Sequence, residues 1–168
     1  MKSAVSNSGP LIHLAKAGLL ELITIYDVLI PIEVKIEVVD RGKEKGYSDA
    51  VLIGNAIKDG WIKEIKIEVE KGFLKIADIA GLHKAEIHVI SYAYQHKIIA
   101  LLDDEPARVF ARGLGVNVSG SLSILIRGLK RGLIAYNGAL NGLEKLSDVM
   151  YLSSDAYRVT LKELEKYK

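Results

Sequence analysis

The sequence predicts an α/β fold with a mainly parallel sheet, and three observations carry that prediction. Short apolar runs suited to strands alternate with stretches of helical periodicity, which implies β-α-β crossovers with helices on both sheet faces. The pentamer IIALL, residues 98–102, is wholly apolar, as expected of a strand buried on both sides. No repeat, low-complexity tract or linker divides the 168 residues. A single domain of three layers, α/β/α, follows, and a chain of this length buries roughly two thirds of its unfolded surface.

Taken in order, KSAVS reads as a short strand closed by Ser6, Asn7, Ser8 and Gly9, with Pro10 placed to open a helix. Leu11, Leu14 and Ala15, then Leu19, Leu20, Leu22 and Ile23, repeat at helical spacing with a break near Gly18. YDVLI is a second strand ending at Pro31. The segment after Pro31 supports two readings: IPIEVKIEVVD alternates like a strand, while Glu33 and Glu37 at i, i+4 suit a helix. SDAVLIGNAIK is a helix stopped by Gly60, and WIKEIKIEV an edge strand. LHKAEIHVISYAYQHK turns Leu82, Ala85, Val89, Ile90 and Ala93 to a core. After IIALL come the helix EPARVFARGLG, the short strand VNVS and the helix SLSILIRGLKRG. Two amphipathic helices, parted near Ser153 and Ser154, extend a core of about 1–135 through 136–168.

With 49% hydrophobic and 26% charged residues the chain has an ordinary globular composition. No segment approaches the 18 apolar residues of a membrane span, and MKSAVSNSGP lacks the apolar stretch of a signal peptide. A cytoplasmic location is expected. Cysteine is absent, which excludes disulfides, thiolate zinc sites and a cysteine nucleophile. The net charge is only +2, yet no Asp or Glu falls between Pro106 and Leu143. Arg108, Arg112, Arg127, Lys130 and Arg131 all lie in that stretch, either as solvated helix faces or as a basic surface for nucleic acid.

In open α/β sheets ligands bind beyond the carboxyl ends of the strands. Ser6-Asn7-Ser8 follow the first strand and Asp103-Asp104 follow IIALL. Two like charges at about 4 Å repel by on the order of 4 kcal/mol at an effective dielectric near 20. A divalent cation or an arginine is expected to offset that. One of the pair could cap the helix near Pro106, but two exceed what a cap requires. Glu86, flanked by Ala85 and Ile87, and Glu37, one charge among several, read by themselves as solvated glutamates. His13, His83, His88 and His96 lack the spacing of a ligand pair, with His13 a neighbour of the first strand end. No P-loop, dinucleotide fingerprint or nucleophile elbow is present, so no nucleotide cofactor is expected.

The runs AVSNSGPLIHLAKAGLLELI, VLIPIEVKIEV, LHKAEIHVISYA and ALLDDEPARVFARGLGVNVSGSLSILIRGLKRGLI together resemble the PIN-domain family, and within it the prokaryotic branch related to VapC-type toxin ribonucleases. The resemblance covers most of residues 1–135. It implies an acidic cluster at the strand ends that binds Mg²⁺ or Mn²⁺ and positions water for attack on an RNA phosphodiester. Carried over by position, Glu37, Glu86, Asp103 and Asp104 are the catalytic acids, with Asn7, Glu86 and Asp104 the metal ligands. It also favours a helix after Pro31. Arg108 could neutralise the acids or touch a phosphate, and the other basic residues would add sequence-independent RNA affinity. The resemblance further implies a small antitoxin partner and a homodimer. One departure stands out: Asn7 occupies a position where most PIN nucleases carry aspartate. An amide oxygen can ligate a hard cation but supplies no charge. A catalytically silent PIN fold, serving as an RNA-binding or protein-interaction module, is therefore the rival expectation.

Overall fold

Ala4 and Val5 are both fully buried, yet they belong to different cores. Successive side chains of a strand point to opposite faces. Ala4 joins the larger core with Leu11, Leu14, Ile124 and Leu125, while Val5 joins a smaller one with Val89, Ile90, Ala107 and Ala111. The computed structural model, which describes residues 1–168, is thus a sheet with helices on both faces.

Five strands make up that sheet: β1 (Lys2–Ser6), β2 (Tyr26–Pro31), β3 (Ile62–Ile65), β4 (Ile99–Leu101) and β5 (Val118–Ser119). Every pairing is parallel, in the order β3-β2-β1-β4-β5. The chain winds outward from β1 through β2 to β3, then returns to the far side of β1 with β4. The winding direction therefore reverses between β1 and β4, which is where a crevice opens at the carboxyl ends of such sheets. The Asn7 N–H donates to the Leu101 carbonyl at 3.3 Å and ties the two strand ends together.

Helix α1 (Ser8–Lys16) leaves β1 directly. The repeat from Leu19 to Ile23 forms a tighter 3₁₀ segment, Leu20–Ile25, instead of an α-helix. Beyond Pro31 the chain is helical: α2 (Ile32–Lys35), a π-helical turn (Ile36–Arg41) and α3 (Gly42–Glu44). Glu37 sits in the wide turn, a feature often found at functional sites. Then follow α4 (Ser48–Lys58), α5 (Lys71–Ile79), α6 (Lys84–His96), α7 (Glu105–Gly113) and α8 (Ser121–Lys130). Strand β3 stops at Ile65, four residues short of the alternating pattern, because its partner β2 ends opposite it at Pro31. The following α5 is amphipathic but mostly exposed, with only Ala77 buried.

The last helices, α9 (Tyr136–Met150) and α10 (Ser154–Glu165), place Ala139, Leu143, Leu146 and Leu164 in the larger core at zero exposure. No helix is long and apolar enough to cross a membrane.

Candidate functional site

The crevice between β1 and β4 holds a cavity of about 420 Å³. Asn7, His13, Glu37, Glu86, Asp103 and Asp104 all line it, so residues from four separate stretches of sequence meet there. The adjacent acids differ sharply in their partners.

Asp103 is almost wholly buried and fully engaged. Its Oδ1 accepts the Ser121 N–H at 2.7 Å, and its Oδ2 accepts the Ser121 hydroxyl at 2.6 Å. The same Oδ2 lies 2.6 Å from His13 Nδ1, with the Asp103 side chain only 6% exposed. Ser121 begins α8, so the carboxylate meets the positive end of a helix dipole. Asp104, by contrast, is exposed and caps α7, its Oδ2 accepting the Ala107 N–H at 3.1 Å. Two helix N-termini and a hydroxyl thus offset the repulsion within the pair. The arginines nearby, Arg108 and Arg112, pair with Glu105 instead, so the arginine expected from the sequence to offset the pair is not there.

Arg108 does not neutralise the acids directly. Its Nη1 donates to the Leu102 carbonyl at 2.8 Å, and its Nε lies 3.4 Å from Glu105. It braces the loop that carries Asp103. A glycine is required where β5 meets this loop: a Cβ on Gly120 would stand 2.6 Å from Asp103 Oδ1, 2.7 Å from Arg108 Nη1 and 2.9 Å from the Leu102 carbonyl.

Glu86 is buried and closes the first turn of α6, its Oε2 accepting the His83 N–H at 2.9 Å. Glu37 is exposed at the cavity edge, where its Oε2 accepts the Ser8 hydroxyl at 2.7 Å. Asn7 is 8% exposed, and its Oδ1 is buried without a hydrogen-bond partner. The residue occupies the N-cap position of α1 yet makes no side-chain cap bond. An unpaired buried carbonyl oxygen costs about 1–3 kcal/mol, and a ligand in the cavity would recover it.

The remaining basic residues lie elsewhere. Arg112 pairs with Glu105 at 3.3 Å. Arg127 stacks over the Tyr26 ring at 5.9 Å and Arg131 donates to the Ile25 carbonyl, both at the amino end of β2. Because all strands are parallel, that is the end of the sheet opposite the acidic cavity. Lys130 lies over the ring of Tyr167.

A family model described as a PIN domain matches residues 3–166. The chain belongs to the PIN-domain family. A solved structure titled "Crystal structure of PAE2754 from Pyrobaculum aerophilum" is similar with a TM-score of 0.55 at 14% identity, over 75% of this chain and 96% of that one. That likeness shows a shared fold. No curated protein matches.

PIN domains are generally nucleases and typically use divalent metals, so the donor set can be tested for fit. No three histidine, aspartate or glutamate side chains stand close enough to grip an ion by themselves. Mg²⁺, however, keeps several waters and takes only one or two carboxylates directly. The orphaned Asn7 Oδ1 and the carboxylate oxygens that line the same cavity suit a hard cation held in that way.

Strand-end position at β1 and β4 identifies Asn7, Ser8 and the acid pair, but Ser121 and the bond of His13 to Asp103 escape it. Ser121 follows β5, so the strand-end rule applied to that strand as well would have found it.

Proposed function

We propose that the protein is a divalent-metal-dependent endoribonuclease of PIN type. The observation that carries the proposal is the buried, unpartnered Asn7 Oδ1 in a cavity also lined by Glu37, Glu86 and Asp104. In each of those three acids the protein's own donors engage only one carboxylate oxygen: Oε2 of Glu37, Oε2 of Glu86 and Oδ2 of Asp104. The second oxygen remains for a ligand. Asn7, Glu86 and Asp104 would hold Mg²⁺ or Mn²⁺, with Glu37 orienting water from the cavity edge. Such an ion supplies an acidified water as nucleophile and stabilises charge developing on the phosphate. Asp103 works through its neighbours: with both oxygens occupied, it fixes His13 and the start of α8 around the cavity. The narrower role, a toxin with a small antitoxin partner in a homodimer, rests on the resemblance to VapC-type chains alone.

The second reading, a catalytically silent module, is favoured by Asn7, which removes one negative charge from the site. A cleavage assay separates the two. The nuclease reading expects Mn²⁺-dependent hydrolysis of single-stranded RNA that EDTA abolishes and that Asp104→Asn reduces at least a hundredfold. Equal cleavage by the parent and Asp104→Asn would remove the assignment, and no cleavage by either would favour the silent module.

A further inference from the structure

Without a cation the acidic cavity gives RNA no electrostatic attraction, because Glu37, Glu86, Asp103 and Asp104 line it and carboxylates repel phosphates. Three cations, Lys2, Lys97 and Arg127, stand together at the other end of the sheet. There a cavity of about 510 Å³ is bordered by Lys2, Lys97, Asn117 and Arg127. It adjoins a second, of about 530 Å³, that shares Lys97 and Asn117 and adds Tyr94. No aspartate or glutamate borders either one.

None of the three cations takes part in any of the chain's eight ion pairs. Arg127 is held in place by the buried Tyr26 ring. Lys97 adopts a left-handed backbone at the end of α6, with φ of 52°, a conformation that glycine takes more easily. Tyr94 is 54% exposed, so its ring can stack on a base. Cations that border one groove beside an exposed aromatic are the chemistry that binds single-stranded nucleic acid without sequence preference. Lys2 opens β1 and Asn7 follows its last residue, about 17 Å away at a strand's rise per residue. The groove is therefore separate from the acidic cavity.

We propose that Lys2, Lys97 and Arg127, with Tyr94, form an exosite for the phosphate backbone of single-stranded RNA at the amino ends of β1, β4 and β5. The choice of RNA rests on the nuclease reading. The anionic character of the ligand does not.

The test is fluorescence anisotropy of a labelled single-stranded RNA across a range of NaCl, with EDTA present so that cleavage cannot intervene. Lys97→Glu with Arg127→Glu is expected to weaken binding about tenfold or more and to flatten the salt dependence by roughly 1.4 in log-log slope, two lost phosphate contacts. Lys162→Glu, on the exposed face of α10, is expected to bind as the parent does. Tyr94→Ala is expected to lose several-fold. Should the charge reversal disturb folding, Lys97→Gln with Arg127→Gln reads the same loss in milder form. Parental affinity and slope in a folded double variant overturn the exosite. So does saturable binding of inorganic phosphate alone, at residues 97 and 127 in amide NMR spectra, as tight as that of RNA. A chain that binds through this groove but never cleaves with Mn²⁺ overturns the nuclease reading and leaves the exosite standing.

Discussion

His13 Nδ1 lies 2.6 Å from Asp103 Oδ2, joining residues 90 positions apart. The bond links α1 to the end of β4, and Ser121 adds α8 to the same carboxylate through two further donors. Asp103 is thus the pin that holds three elements around the cavity, whereas its neighbour Asp104 keeps one oxygen free. Adjacent and chemically identical residues have been given different tasks by their partners.

Removing the pin has a stability cost. Asp103→Ala leaves the Ser121 N–H and hydroxyl without their acceptor, and a buried donor left unpaired costs about 1–3 kcal/mol. Urea unfolding should show a lowered midpoint of that size with an unchanged slope. A loss under about 0.5 kcal/mol, the level of ordinary surface substitutions, would mean that water replaces the carboxylate freely.

Glu86→Gln and Asp104→Asn should behave in the opposite way. Glutamine can keep the bond to the His83 N–H as the partner in a capping box, and asparagine caps a helix as well as aspartate does. Both variants should therefore melt close to the parent in EDTA. In Mn²⁺ they should lose the stabilisation that mass action gives the parent, about 2.7 kcal/mol at a hundredfold excess over Kd. Calorimetric melts with and without Mn²⁺ read both quantities, and full Mn²⁺ stabilisation in either variant would exclude that side chain as a ligand.

Asn7→Asp tests the departure at the first strand end. A carboxylate there, 8% exposed and lining the same cavity as Asp103 and Glu86, adds like-charge repulsion when no cation is present. The variant should be less stable than the parent in EDTA and gain more from Mn²⁺. Titration calorimetry should show tighter Mn²⁺ binding. Weaker binding would indicate that the amide oxygen faces something other than a cation.

Gly120→Ala places a methyl carbon 2.6 Å from Asp103 Oδ1 and 2.9 Å from a backbone carbonyl. Neither neighbour can retreat without breaking the bonds to Ser121 or Arg108. Overpacking of this kind costs about 1–3 kcal/mol, and the thermal midpoint should fall accordingly. An unchanged midpoint would show that the loop relaxes without cost.

The fold was readable because it follows from period and order. IIALL, YDVLI and KSAVS are apolar runs whose helical neighbours force parallel pairing, and β1, β2 and β4 lie where those runs do. Less legible was anything decided by pairing. The WIKEIKIEV pattern continued past Ile65, but β2 had ended opposite it. The segment Lys71–Ile79 is a mostly exposed helix, and such a helix leaves little core signature in the sequence. Within the cavity, strand-end position identified Asn7, Asp103 and Asp104. The partners of Asp103 come from residues 13 and 121, and no local pattern encodes a hydrogen bond across such separations. The basic run after Pro106 divides for the same reason. Arg108 and Arg112 turn to Glu105, while Arg127 turns to Tyr26 at the far end of the sheet.

Whether Asn7, Glu86 and Asp104 hold a divalent cation is decided by anomalous diffraction from crystals soaked in Mn²⁺. A peak is expected inside the cavity, in contact with the Asn7 side-chain oxygen and at least one carboxylate of Glu86 or Asp104. A cavity without a peak at saturating Mn²⁺, or an Asn7 amide turned away from the peak, would contradict it.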